Sequence, residues 1–141
     1  MHYRTMENVL NKVDLKSNNR PIKVLIVEDD ETWASYLRVL FRKVNCEILN
    51  AVNGKEAITI CKQHSDIDLI LMDINMPELN GCEATRQIRK FNKEVIIIAQ
   101  SSDPDEEKAI NAGFNSFISK VLLKNQLPVL ISKYCNSKMK L

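Results

Sequence analysis

Leu69-Ile70-Leu71-Met72-Asp73-Ile74-Asn75-Met76-Pro77-Glu78-Leu79-Asn80-Gly81 is an apolar run that ends in a carboxylate and opens into a loop bearing proline and glycine. Four consecutive apolar residues leave no polar face, the pattern of a parallel strand buried on both sides. In open α/β sheets such strands deliver polar side chains to the carboxyl edge, where the ligand crevice lies. Asp73 is therefore a candidate site residue or a strand-end turn former, a role aspartate also fills. The remainder of the chain decides between them.

Upstream, Ile22-Lys23-Val24-Leu25-Ile26-Val27 is a second β-branched run, and it empties into Glu28-Asp29-Asp30. Glu47–Ala51 reads as a shorter strand, and Val95–Ala99 as a fourth that ends at Gln100-Ser101-Ser102. Phe114–Ser119 reads as a fifth, with Lys120 at its end. Between these runs the period changes. Trp33, Leu37, Leu40, Phe41 and Val44 follow helical spacing. Asn53 and Glu56 make a capping box before a helix over Gly54–Lys62, and Cys82–Lys90 is a further short helix. Asp103-Pro104-Asp105-Glu106 is a helix start whose stop is Gly113. Leu122–Tyr134 closes the chain as an apolar-striped helix, with Pro128 confining its start to near Asn125. The order βαβαβαβαβα implies a parallel sheet covered on both faces, with right-handed crossovers.

A chain of 141 residues buries a core as one domain. We expect the domain over 22–136, a linker or N-terminal extension over 1–21, and a C-terminal tail over 137–141. Met6, Val9, Leu10 and Val13 form a weak helical stripe within the extension. The net charge of +2 argues neither for nor against nucleic acid, but with no basic stripe and no helix-turn-helix pattern direct nucleic-acid binding is not expected. Cys46, Cys61, Cys82 and Cys135 lack metal-ligand spacing and read as small apolar residues of a reduced compartment. No apolar segment is long enough for a membrane span, so the expected location is cytoplasmic.

The polar residues that end the strands form a set: Glu28, Asp29 and Asp30; Asp73; Ser101; Lys120. Several carboxylates in one pocket repel unless a cation shares it. Their hard oxygens suit Mg²⁺, which favours phosphate as a co-ligand. A lysine and a small hydroxyl complete a phosphoryl-binding set. An aspartate can then accept the phosphoryl group as an acyl phosphate. Each member also has a plainer reading. The first acids could serve a helix N-terminus, and a lone lysine is usually a solvated surface residue.

Val27-Glu28-Asp29-Asp30, Leu71–Pro77 with Gly81, Ile97–Ser101 and Ala112–Lys120 together resemble the receiver domain of bacterial response regulators, in detail those attached to hybrid histidine kinases. The resemblance spans about residues 22–135. It implies a flavodoxin-like (βα)5 three-layer sandwich whose five-stranded parallel sheet runs 2-1-3-4-5. It implies that Asp73 is the phosphoacceptor, that Glu28 and Asp29 are the Mg²⁺ pair, and that the main-chain carbonyl of Asn75 is a further ligand. Ser101 and Phe117 match the switch residues and Lys120 the phosphate-contacting lysine. The implied partner is a sensor histidine kinase or a histidine phosphotransfer protein. The chain would be no enzyme beyond promoting its own phosphorylation and dephosphorylation. Asn75 and Asp103 would border the path of the hydrolytic water, and a homodimer could pair through the fourth and fifth helices.

Two features depart from the family. Val121 stands where proline usually follows the lysine, so the Lys120–Val121 bond is expected to be trans. The stretch from Ser101 to Gly113 is about three residues short. These departures motivate a second reading, a non-switching pseudo-receiver that serves as a docking module. A third, an aspartate-dependent phosphatase or mutase, lacks an acid two residues after the nucleophile, where Asn75 stands.

Overall fold

The computed structural model describes residues 21–42, 46–102, 111–121 and 125. Its elements are β1 (Ile22–Val27), α1 (Glu31–Phe41), β2 (Cys46–Ala51), α2 (Gly54–Gln63), β3 (Leu69–Asp73), α3 (Gly81–Arg89), β4 (Ile96–Ser101) and β5 (Ser116–Ser119). The strands are parallel in the order β2-β1-β3-β4-β5, so the flavodoxin-like arrangement is the one found. The extension over 1–20, residues 43–45, the helix opening at Asp103 (103–110) and all of the closing helix but residue 125 (122–124 and 126–134) lie outside the described residues. So do Cys135 and the helical pair invoked for dimerisation.

Strand parity sorts the core into two layers. Val24, Ile26, Leu69, Leu71, Ile96 and Ile98 face α1, which contributes Ala34, Leu37, Leu40 and Phe41. Leu25, Val27, Ile70, Met72, Ile97 and Ala99 face α2 and α3, which contribute Ala57, Cys61, Cys82, Ala84 and Ile88. β3 is buried along its whole length because both its neighbours and both layers cover it. That explains its unbroken apolar run.

β1 and β3 have the expected bounds, and the ends of β2, β4 and β5 differ from the expected ones by one or two residues. β4 starts at Ile96 and continues through Gln100 and Ser101, because β3 pairs Asp73 with Gln100 and β5 pairs Ser119 with Ser101. β5 begins only at Ser116, since the Asn115 side chain is occupied on the Ile97 amide and on Arg89. β2 begins at Cys46. α3 begins at Gly81, with Asn80 as N-cap bonding the Glu83 amide. No helix among the described residues is long and apolar enough to cross a membrane.

Two glycines fix the loop between β3 and α3. A Cβ on Gly81 would fall inside contact distance of the Asp73 carbonyl oxygen and 2.9 Å from Met72 Cγ. A Cβ on Gly54, at the start of α2, would lie 2.5 Å from the Leu79 carbonyl oxygen. The Gly81 amide donates to the Ile74 carbonyl at 3.0 Å and closes the loop on itself.

Arg89 joins the end of α3 to the approach to β5. Its guanidinium donates to the carbonyls of Val95 (2.7 Å), Gly113 (3.0 Å) and Asn92 (3.3 Å), and to Asn115 Oδ1 (2.8 Å). Removing the donor strands these acceptors, each at a cost of about 1–3 kcal/mol if it stays dry. Arg89→Met is expected to lower unfolding free energy by about 2–4 kcal/mol. A shift in denaturation midpoint below a quarter of that would show that water replaces the clamp.

Candidate functional site at the carboxyl edge of the sheet

The parallel register brings four strand exits to one edge. Val27 pairs with Met72, Asp73 with Gln100, and Ser101 with Ser119. The residues just beyond β1 and β5, Glu28 and Lys120, therefore meet the end of β3. The ammonium of Lys120 lies 2.8 Å from Glu28 Oε1 and 3.5 Å from Asp73 Oδ2. Carboxylate oxygens of Glu28, Asp29 and Asp73 lie within 4.8 Å of one another. Glu28 and Asp73 are buried and Asp29 is exposed.

Asp30 does different work from its two neighbours. It is the N-cap of α1, and its Oδ1 accepts the amides of Thr32 (2.9 Å) and Trp33 (3.3 Å). The three acids thus divide: one secures the helix, as carboxylates do at that position, and two face Asp73. The Asp30 amide in turn donates to Glu28 Oε2 at 3.1 Å and holds that side chain inward.

On the other side of Asp73, the Asn75 amide donates to Asp73 Oδ1 at 3.1 Å. The Asn75 side chain donates to Ser101 Oγ at 2.8 Å. Ser101 is fully buried at the end of β4. Phe117 is half-buried against the apolar layer of α2 and α3. Every peptide bond among the described residues is trans, including Lys120–Val121, and Val121 is exposed.

Burial sets the electrostatics. It pushes the Glu28 carboxyl up to about 7, with nearby Asp73 adding to the rise and Lys120 and the Asp30 amide opposing it. Burial also raises Asp73, against the pull of Glu28, Lys120 and the Asn75 amide. Burial works against the charge on Lys120, but its acidic partners outweigh this and its pKa is raised. Three carboxylates stand around one ammonium, and their hard oxygens form a donor set that could hold a divalent cation.

The pH dependence follows from that imbalance. An acid raised on folding contributes stability that is fully present below its unfolded pKa and lost as pH rises through its folded one. For Glu28 that window runs from about 4.5 to about 7. With a chelator present, the melting temperature is expected to fall as pH rises across it. Saturating Mg²⁺ is expected to oppose the fall most strongly at the alkaline end. Parallel melting curves with and without Mg²⁺ would sink this account.

Two neighbouring residues escape a reading of motifs. Trp33 Nε1 donates to Gln100 Oε1 at 2.8 Å, and Lys120 Nζ lies 5.6 Å from the Trp33 ring centre. Gln100 is fully buried, and its Nε2 has no hydrogen-bond partner among the described residues. The available signal was parity. Gln100 continues the inward phase of Ile96 and Ile98, so a buried amide had to find a polar partner.

Comparison with known proteins agrees with this geometry. Residues 24–132 match the family model of the response regulator receiver domain. The chain is 32% identical over 122 residues to hybrid signal transduction histidine kinase L of Dictyostelium discoideum, covering 79% of this chain and 7% of that protein. It is similar to the Mg²⁺-complexed receiver domain of the histidine kinase CKI1 from Arabidopsis thaliana (33% identity, TM-score 0.68, 81% and 92% of the two chains). It is also similar to a chain in the co-crystal structure of the Saccharomyces cerevisiae histidine phosphotransfer protein Ypd1 with the receiver domain of Ssk1 (30% identity, TM-score 0.67, 82% and 92%).

Proposed function

This chain belongs to the response regulator receiver domain family, and from that premise we propose that Asp73 accepts a phosphoryl group from a phosphohistidine. The donor would be a sensor histidine kinase or a histidine phosphotransfer protein. The observation that carries the reading is the Lys120 ammonium set between Glu28 and Asp73, with Asp29 beside them. An aspartate beside an ammonium and two further acids is poorly explained as a turn former.

Glu28, Asp29, Asp73 and the main-chain carbonyl of Asn75 would hold Mg²⁺. When bound, the ion offsets the negative charge that gathers as phosphoryl oxygens meet the carboxylates. The chain's own groups do the rest. Asp73 attacks phosphorus through a carboxylate oxygen as the N–P bond of the phosphohistidine breaks, its electron pair staying on the departing imidazole, and becomes an acyl phosphate. Lys120 exchanges its contact with Asp73 for one with a phosphoryl oxygen. Ser101 supplies a hydroxyl to another, and to do so must leave the Asn75 amide that holds it here. Phe117 would then turn inward as Ser101 withdraws. The resemblance to the receiver crystallised with a phosphotransfer protein supports this partner class. The phosphoryl group would be lost by self-catalysed hydrolysis rather than passed to a turned-over substrate.

The test is incubation with acetyl phosphate and Mg²⁺, followed by intact-mass analysis and reductive trapping of the acyl phosphate. A Mg²⁺-dependent phosphoryl adduct at Asp73 is expected. No adduct, or one at another residue, overturns the reading.

A further inference from the structure

Beside the phosphoacceptor lies an open pocket of about 260 Å³, lined by Asp30, Trp33, Ser102, Lys120 and Val121. None of these except Lys120 has a part in the chemistry above. Lys120 belongs to both spaces: its ammonium contacts Asp73 and lies over the Trp33 ring. A ligand in the pocket would share the Lys120 ammonium with Asp73. The indole wall is held in place. Gln100 accepts its N–H at 2.8 Å, and Tyr36 packs against it with ring centres 5.4 Å apart. Gln100 holds that bond while its own Nε2 stays buried with no partner among the described residues, a cost that marks a constrained position. The pocket thus offers a fixed aromatic surface, a carboxylate and a cation, in a volume several times the roughly 30 Å³ that a water occupies.

We propose that this pocket receives the leaving group of the phosphodonor, an imidazole ring, and that Trp33 makes the site prefer N-phosphorylated imidazoles over donors without a ring. The inference rests on the phosphoacceptor reading of Asp73. An oxygen of Asp73 forms the O–P bond as the N–P bond breaks. The N–P electron pair stays on the ring nitrogen. The ring carries a proton on its other nitrogen beforehand, so it departs as neutral imidazole and no further proton is needed. Asp30 lines the same pocket, with one carboxylate oxygen already capping α1, and supplies an acceptor for that ring N–H. The indole contributes stacking area to a five-membered ring and nothing comparable to ammonia or acetate.

The experiment compares two donors that share the same bond type. Monophosphoimidazole and phosphoramidate both transfer from nitrogen, and only the first carries a ring. In Trp33→Ala, the ratio of their second-order rate constants for Asp73 labelling is expected to fall about tenfold relative to wild type. Trp33→Phe keeps a ring without the Gln100 bond and is expected to hold that ratio within about threefold. An unchanged or increased ratio in Trp33→Ala overturns the proposal, as does an equal fall in both variants. Failure of wild type to label with either donor instead removes the phosphoacceptor reading, so the two failures are told apart. The same pair of variants, labelled from a phosphohistidine on a phosphotransfer protein, separates a ring effect on small donors from one on protein donors.

Discussion

Asp73→Asn is expected to abolish phosphoryl uptake and, in the same protein, to raise the melting temperature of the metal-free form. The loss of uptake follows because an amide oxygen is no nucleophile toward phosphorus at neutral pH. The gain in stability follows from charge. Lys120 is shared between two buried carboxylates, 2.8 Å from Glu28 and 3.5 Å from Asp73. Burial raises both acids, and the charge of Asp73 adds to the rise at Glu28. An asparagine leaves Glu28 and Lys120 as a balanced pair, and its side-chain oxygen still accepts the Asn75 amide. Relief of about 1–2 kcal/mol corresponds to roughly 3–7 °C for a domain of this size. Added Mg²⁺ should stabilise wild type far more than the variant. Calorimetry in chelator at pH 8 decides it. A variant that melts at or below the wild-type temperature would show that the Asp73–Lys120 contact outweighs the repulsion.

Gly81→Ala is the second large effect. The methyl group would meet the Asp73 backbone, with the carbonyl carbon 2.9 Å away and the oxygen nearer still. Backbone cannot rotate aside as a side chain does. Either α3 backs away from β3, opening the layer that holds Cys82, Ala84 and Ile88, or the loop from Ile74 to Asn80 is displaced. The loop is confined from the other side by Gly54 against the Leu79 carbonyl. A loss of at least about 3 kcal/mol is expected, read as a fall in melting temperature of about 10 °C. Phosphoryl uptake should fall as well, since the strained peptide is that of Asp73 itself. A loss below about 1 kcal/mol would mean that the loop is looser than its contacts suggest. Gly81 was visible in the sequence only as a motif position; its cause is a backbone approach that no local pattern reveals.

The same division runs through the rest of the molecule. The five strands were legible because each is an apolar run ended by a polar residue, and strand alternation with helices implied the parallel sheet. The order in space was less so: composition and periodicity gave adjacency only through a family likeness. At the site, Asp73, Glu28, Asp29 and Lys120 could be grouped from their shared position at strand exits. The choice of Glu28 and Asp29 over Asp30 as site acids came only through the family likeness, and the capping role of Asp30 was not legible, since three consecutive acids carry no sign of which way each turns. Arg89 and Asn115 were hidden for a related reason. Their partners are carbonyls and an amide that lie 3–26 residues away, and main-chain acceptors look alike in every sequence. The pairing of Trp33 with Gln100, 67 residues apart, could be sought by parity but not located.

Parity also decides where chemistry can occur along β4. Ile96 and Ile98 face one layer and Ile97 and Ala99 the other, so Gln100 meets Trp33 while Ser101 turns toward Asn75. The aim of the hydroxyl is thus a matter of counting. Insert one residue anywhere in the strand upstream of Gln100, and the amide and the hydroxyl exchange directions, along with every isoleucine. Insert two, and the directions are restored with the strand merely longer. Length changes in this strand can therefore be absorbed only in even steps. Ser101 is held in its orientation less by its neighbours than by its distance, in whole residues, from the start of the strand.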